Sequence, residues 1–326
     1  MSQRRSALRI GTRGSTLAVW QTEWVRARLR ESGYESERIE IKTTGDLVGD
    51  VPLARIGSRA LFTKQIDDAL LEGRIDLAVH SFKDLPTQLP DGITVAAVGQ
   101  REDPRDALVG RGPLEWDDLP QGGVVATSSL RRRAQLLHSR PDLTVVDVRG
   151  NVETRLAKLD NQPAWSGILL AAAGLVRLGL ERRIGERLPP ALMLPAPAQG
   201  ALVVTVRAGD TAAETAAHRA VHHPESALSV AAERGFLRRL EGGCQVPVGA
   251  YAELDQQSGR PSLRLHGRVV ALQGDRMVEG REAGVVSDEN EAGALGSALA
   301  DRLLSEGASE ILAEARSAVA PAVSEP

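Results

Sequence analysis

Cys244 is the single cysteine among 326 residues, set in the run Glu241-Gly242-Gly243-Cys244-Gln245-Val246-Pro247-Val248-Gly249. Glycines before it and Pro247 after it predict a loop or tight turn rather than a helix interior or a central strand. A thiol presented this way can be reached by another molecule, and its thiolate can bond to carbon or to a metal. One cysteine can make neither an internal disulfide nor a thiolate cluster. A buried, inert thiol is the competing reading, because free cysteine is among the most buried residue types.

Lysine is scarce, found only at Lys42, Lys64, Lys83 and Lys158, which sets off the pair Lys83-Asp84. Such a pair can be a local ion pair and nothing more. Lined by further cations, its carboxylate could instead stabilise a developing positive charge or shuttle protons. The other cations are arginines, and those that follow predicted strands are Arg13, then Arg131-Arg132-Arg133 directly after Ser128-Ser129, then Arg149 and Arg155 on either side of Gly150-Asn151. Guanidinium forks bind carboxylates bidentately, so the set reads as a site for a ligand with several carboxylates. For any one arginine, a solvated helix face is the plainer reading. His80, His138, His222 and His223 do not form a metal set, and no acid or thiol has metal-ligand spacing to His222-His223, so no metal site is expected. There is no P-loop, and Gly11-Thr12-Arg13-Gly14 lacks the spacing of a dinucleotide fingerprint.

The elements that must hold these residues alternate. Strands are predicted at Leu8 to Ile10, Glu40 to Thr43, Ile75 to Val79, Val124 to Ala126, Leu143 to Val148, Ile168 to Ala172 and Ala201 to Val206. Helices are predicted from Ser15 to about Leu29, from Leu61 to Glu72, from Leu130 to His138 and from Val152 to Leu159. Alternation implies βαβ units and a mainly parallel sheet, and the reactive residues follow strand ends, where α/β sheets bind ligands. Chain stretches rich in Asp, Gly and Pro near residues 100 to 120, and the prolines from Pro189 to Pro197, read as two crossovers between two hinged α/β lobes around a cleft. Alanine-rich helices run to about Leu240. Strands at Val248 to Glu253, Leu263 to Leu272 and Arg276 to Gly284, with a helix from Glu289 to Leu304, then make a small α+β domain that begins with Cys244. Asp46 to Arg59 is polar, glycine-containing and aperiodic and predicts a mobile loop.

Composition narrows the function. Net charge is −3 and aromatic residues are 3% of the chain, which gives no basic field or base-stacking platform for nucleic acid. No apolar stretch reaches the length of a membrane span, no signal peptide is read at the N-terminus, and a single cysteine suits the reducing cytoplasm.

Several motifs resemble those of one family. They are Gly11-Thr12-Arg13-Gly14-Ser15-Thr16-Leu17-Ala18, Ala78-Val79-His80-Ser81-Phe82-Lys83-Asp84-Leu85-Pro86, Thr127-Ser128-Ser129-Leu130-Arg131-Arg132, Arg149-Gly150-Asn151-Val152-Glu153-Thr154-Arg155-Leu156, Ala198-Gln199-Gly200 and the Cys244 loop. In this order the set is similar to porphobilinogen deaminase, also called hydroxymethylbilane synthase. The resemblance implies two lobes like those of periplasmic binding proteins, residues 1–101 with 200–219 forming the first and 102–199 the second, and a third domain over 220–326. It implies a cytoplasmic transferase, a monomer, in tetrapyrrole biosynthesis. Such an enzyme links four porphobilinogen units head to tail with release of ammonia, holds the pyrrole-chain intermediates, and frees the tetrapyrrole by hydrolysis. It also implies a dipyrromethane cofactor on a thioether to Cys244.

Carried over residue by residue, the resemblance gives Asp84, Lys83, Arg149 and Arg155 to catalysis. Cys244, Lys83, Asp84, Ser129, Arg131, Arg132 and Gly150 go to the cofactor. Arg13, Ser15, Arg59, Phe62, Arg149, Arg155 and Gln199 go to the substrate. The loop expected to act as a lid departs from the family's usual Gly-Gly-Lys-Gly-Leu-Phe, reading Gly57-Ser58-Arg59-Ala60-Leu61-Phe62: the cation is kept and two glycines are lost, which stiffens the segment. The rival reading is a non-enzymatic two-lobed anion-binding protein.

Overall fold

Short apolar runs become strands and segments of 3.6-residue period become helices along most of the chain. The structure, a computed structural model, describes residues 7–43, 60–240, 246–255 and 262–319. The elements are β1 (Leu8–Thr12), α1 (Thr16–Glu31), β2 (Ser36–Glu40), α2 (Ala60–Leu71), β3 (Leu77–Ser81), β4 (Ile93–Val98), β5 (Asp106–Val109), β6 (Val124–Ala126), α3 (Leu130–Ser139), β7 (Thr144–Val146) and α4 (Val152–Asp160). They continue as β8 (Gly167–Ala171), α5 (Ala172–Arg177), β9 (Glu186–Arg187), β10 (Leu202–Arg207), α6 (Thr211–Val221), α7 (Pro224–Arg239), β11 (Val248–Asp255), β12 (Ser262–Val270), β13 (Met277–Val285), α8 (Glu289–Leu303) and α9 (Ser309–Val319).

The chain forms two compact units. One holds the described residues 7–43, 60–102 and 201–227, the other the described residues 103–200, 228–240, 246–255 and 262–319. The first is an α/β lobe on a five-stranded sheet of order β2-β1-β3-β10-β4. The second contains another α/β lobe on a sheet of order β7-β6-β8-β5-β9, and a small domain in which helices pack on the antiparallel sheet β11-β12-β13. Two α/β lobes and a small α+β domain are therefore what the sequence pattern leads one to expect. The sheets are not mainly parallel, however. β1 pairs in parallel with β2 and β3, but β10 is antiparallel to both of its neighbours, and β5 likewise. β5 and β10 are the first strands after the chain changes unit, so neither is tied to the preceding strand by the right-handed βαβ crossover that enforces parallel pairing.

Edge position explains a second difference. The predicted strand at Glu40 to Thr43 lies instead at Ser36–Glu40, where its charged residues are tolerated because β1 is its only strand partner among the described residues. Ile41 still packs in the core and donates its N–H to the Thr12 carbonyl at 2.8 Å. Alternation in β5 sorts the second lobe: Ala107 and Val109 join the core that holds Leu156 and Leu159 of α4, while Leu108 joins the core that holds Leu136 of α3. Asp106, two residues before Leu108, belongs to the α3 side.

Candidate functional site

In the first lobe, β1 and β3 are parallel with Gly11 opposite Ala78, so the residues that follow each strand leave the sheet at the same edge. Arg13 and Ser15 follow β1. Phe82, Lys83 and Asp84 make a single tight helical turn directly after β3. Phe82 is buried and anchors that turn, Lys83 and Arg13 are half-buried, and Asp84 is exposed. Ser15 caps α1, its Oγ accepting the Ala18 N–H at 3.4 Å. Gln21 of α1 donates from Nε2 to Ser81 Oγ at 2.7 Å, which fixes the helix to the end of β3.

His80 is buried beside this edge, and its Nε2 has no hydrogen-bond partner among the described residues. Burial pushes the imidazole down to about 4, with the Asp84 charge working against the shift and the Arg13 charge adding to it. The ring is thus neutral at pH 7 and lies within the field of both charges, which places Arg13 and Asp84 in one neighbourhood.

In the second lobe, β6 and β7 are parallel and their ends are laced together. Ser128 Oγ donates to the Val148 carbonyl at 2.8 Å and accepts the Val148 N–H at 3.1 Å. Ser129 caps α3, and Asn151 caps α4 with an Oδ1 that accepts the Thr154 N–H at 2.9 Å. Gly150 holds φ at +109°, and a Cβ there would meet the Thr154 side chain at 2.6 Å, so glycine is required. Arg155 Nε donates to the Gly150 carbonyl at 2.7 Å. Arg149 and Arg155 are half-buried at this open strand end.

Arg131 and Arg132 stand differently. Both are buried, and both grip Asp106, a residue that sequence reasoning missed. Arg131 donates to the two Asp106 oxygens at 2.6 and 3.2 Å and to the Leu194 carbonyl at 2.7 Å. Arg132 donates to Asp106 Oδ1 from Nε at 2.9 Å and from Nη2 at 2.7 Å, and to the Leu169 carbonyl at 2.9 Å. Gln199 Nε2 adds a third donor to Asp106 at 2.8 Å and bonds the Pro104 carbonyl at 2.7 Å. Despite full burial, which alone would raise it, the Asp106 carboxyl is held well below the usual range by the two guanidiniums and these hydrogen bonds. The signal for it was an aspartate opening the apolar run Ala107-Leu108-Val109, inside a stretch that reads as a crossover.

Gln199 is itself aimed by a chain of contacts. Ala198 has φ +64° and donates its N–H to Glu233 Oε2 at 2.7 Å; Glu233 Oε1 accepts the Ala252 N–H of β11 at 2.8 Å. Glu233 is fully buried. Arg268 of β12 donates to Gln135 Oε1 at 2.9 Å, and Gln135 Nε2 bonds the same Leu194 carbonyl that Arg131 uses, at 3.0 Å. The small domain is thereby hydrogen-bonded to the arginine centre. Cys244, Arg59 and the segment Asp46 to Arg59 lie outside the described residues, as does the side chain of Phe62.

A family model described as porphobilinogen deaminase, dipyromethane cofactor binding domain, matches residues 8–215. Another, the porphobilinogen deaminase C-terminal domain, matches residues 227–305. The chain belongs to the porphobilinogen deaminase family. Curated relatives named porphobilinogen deaminase include one from Geobacter metallireducens, 48% identical over 94% of both chains, and one from Syntrophotalea carbinolica, 48% identical over 94% of this chain and 96% of its own. A solved periplasmic substrate-binding protein of an ABC transporter from Coxiella burnetii is 16% identical with a TM-score of 0.43, over 70% of this chain and 96% of its own. That likeness is too distant to support an argument.

Family membership identifies the chain as an enzyme of tetrapyrrole synthesis with a dipyrromethane cofactor domain. Both strand-end clusters lie within the residues matched by that domain. No helix among the described residues is long and apolar enough to cross a membrane.

Proposed function

We propose that the chain is a hydroxymethylbilane synthase, working as a cytoplasmic monomer, that condenses four porphobilinogen molecules with loss of one ammonia at each junction. The observation that carries the reading is the exposed Asp84 carboxylate, held on a rigid turn at the end of β3 in the neighbourhood of Arg13. An anion-binding protein has no use for an exposed carboxylate at a cationic site, so the non-enzymatic reading is disfavoured.

The residues fit a dipyrromethane. Each of its rings carries two carboxylates, and the second lobe offers buried Arg131 and Arg132 with half-buried Arg149 and Arg155. Cys244 would hold the group covalently, with Ser129, Arg131, Arg132 and Gly150 around it. Bound, it supplies the free pyrrole carbon that primes the chain. Asp84 stabilises the positive charge that develops on the porphobilinogen pyrrole as its amine leaves, because a fixed carboxylate needs no reorganisation when that charge forms. Lys83, Arg13, Arg149 and Arg155 hold the acetate and propionate groups by charge-assisted hydrogen bonds. Ser15 and Gln199 position the substrate through the elements they cap or brace, and Arg59 and Phe62 complete the substrate set.

Intact-mass measurement of the purified chain tests this. The expected result is the chain mass plus a dipyrromethane, and Cys244→Ala at the chain mass alone. Added mass on Cys244→Ala would disprove the attachment, and a wild-type chain that neither carries nor acquires added mass would disprove the enzyme.

A further inference from the structure

The buried centre of the second unit does not balance its charge. Two guanidiniums, Arg131 and Arg132, share one carboxylate, Asp106, and none of the three is more than 5% exposed. Within this ion-paired cluster, among the described residues, two guanidiniums face one carboxylate where water cannot screen them, an arrangement that is costly unless another anion offsets it. Helix α3 does not supply one: its first turn holds no acidic residue, and its dipole adds positive potential at that end. Arg131 Nε, also buried, has no hydrogen-bond partner among the described residues.

The way Gln199 reaches Asp106 adds an independent observation. Ala198 is the one non-glycine among the described residues with a positive φ, a conformation that disfavours any side chain and persists only where its surroundings enforce it. Here a fully buried carboxylate, Glu233, enforces it by binding the Ala198 and Ala252 N–H groups, one on each oxygen. A core that needed only filling would not require a strained turn, a buried carboxylate to hold it and a glutamine amide aimed at a second buried carboxylate.

We propose that Asp106 is a positioning residue for pyrrole carboxylates: it gathers Arg131, Arg132 and Gln199 into a preformed, cation-surplus centre on which a carboxylate of the dipyrromethane is received. Asp106 does not touch the reacting atoms. It cancels enough guanidinium repulsion to keep both forks together, and leaves enough positive charge to attract an anion. The proposal rests on the function proposed above.

The test uses full-length chains expressed where no porphobilinogen is made, then incubated with porphobilinogen and followed by intact mass, with circular-dichroism melting in parallel. Wild type is expected to gain the dipyrromethane. Asp106→Asn is expected to fold with a lower melting temperature and to load at least tenfold more slowly; Asp106→Glu, which keeps the charge but displaces the forks, several-fold more slowly. Leu159→Ala, a fully buried core residue of the same lobe, is expected to lower the melting temperature while loading at the wild-type rate. Wild-type loading by Asp106→Asn, or by Asp106→Glu should the asparagine variant fail to fold, overturns the proposal alone. So does a Leu159→Ala chain whose loading falls in step with its melting temperature, because the role is then merely structural. A wild-type chain that takes up nothing overturns the underlying function, and this proposal with it.

Discussion

Asp84 and Asp106 are both aspartates among arginines, and their surroundings give them opposite work. Asp84 ends a tight turn at a sheet edge with its carboxylate exposed. Asp106 opens a strand inside a lobe, is 0% exposed, and spends its oxygens on Arg131, Arg132 and Gln199. An exposed carboxylate on a rigid turn keeps its lone pairs for whatever enters the site. A sealed one can act only on its neighbours, by fixing where their charges sit. The arginines differ in burial as well: Arg149 and Arg155 are half-buried at a strand end, while Arg131 and Arg132 are buried and pair with Asp106. On the function proposed above, catalytic chemistry would belong to the open group and preorganisation to the sealed one.

Neutralising each aspartate in turn is the strongest way to break this contrast. Asp106→Asn leaves two buried guanidiniums facing a neutral amide, and loss of one partner from a buried ion-pair cluster costs about 3–5 kcal/mol. Asp84→Asn, at an exposed position, should shift stability by less than about 0.5 kcal/mol. Chemical denaturation of both variants measures the difference; equal losses would erase the distinction between open and sealed. Turnover should rank them the other way round for loaded enzyme. Asp84→Asn should slow ammonia release on the order of 100-fold or more, and Asp84→Glu should slow it less because the charge survives. Near-normal turnover by loaded Asp84→Asn would remove Asp84 from the chemistry.

The open group was legible in the sequence and the sealed one only in part. Lys83-Asp84, Arg149-Gly150-Asn151 and Arg155 sit at strand ends, and strand ends can be read from short apolar runs bounded by glycine and polar residues. Arg131 and Arg132 could be read as carboxylate binders, but not that the chain supplies a carboxylate of its own. Asp106 lies 25 residues away in sequence, on a strand hidden in an Asp- and Pro-rich stretch, and it meets α3 only because β5 runs antiparallel in the sheet interior. That reversal is a tertiary matter which the alternation of strands and helices does not encode. Glu233 and Ala198 were hidden for the same reason: a helix glutamate reads as a solvated charge, and nothing local announces that an alanine must adopt positive φ.

Acid sharpens the comparison from the open side. His80 sits beside Asp84 with its imidazole lowered from 6.5 to about 4 by burial. The unfolded chain binds this proton below about pH 6.5 and the folded chain only near 4, so His80 removes stability as pH falls through that window, by about 2 kcal/mol at pH 5. His222 and His266, also lowered, act in the same direction, and Asp67, raised to about 6 by burial, acts against them. Comparing wild type with His80→Gln cancels those three. Denaturation at pH 7 and pH 5 should show a smaller acid loss in the variant by roughly that 2 kcal/mol. Asp106, already lowered below the usual carboxylate range, loses its contribution only at more acid pH, so the sealed centre should not contribute in this window. An unchanged pH 5 loss in His80→Gln would mean that the ring is protonated in the fold and that its burial beside Asp84 is not as described.

The smallest expected effect separates the two helix caps of the second lobe. Asn151 belongs to the open end: its Oδ1 accepts both the Thr154 N–H at 2.9 Å and the Thr154 hydroxyl at 2.6 Å, and it stands between Gly150 and Arg155. Ser129 leads into the sealed centre, and its Oγ accepts the Arg132 N–H only at 3.5 Å, the outer limit of a useful bond. Loss of a cap costs typically about 1 kcal/mol, so Asn151→Ala should lose about that much and Ser129→Ala about half. The functional readouts should differ as well. Asn151→Ala loosens the turn that seats Arg155, so KM for porphobilinogen should rise a few-fold with kcat little changed, as expected when a group that binds ground and transition states alike is disturbed. Ser129→Ala leaves Arg132 anchored by Asp106 and the Leu169 carbonyl, so its loaded enzyme should keep a near-normal KM. If Ser129→Ala proved the more damaging to stability, bond length would not be what ranks the caps. If it also raised KM, the sealed centre would be in contact with substrate after all.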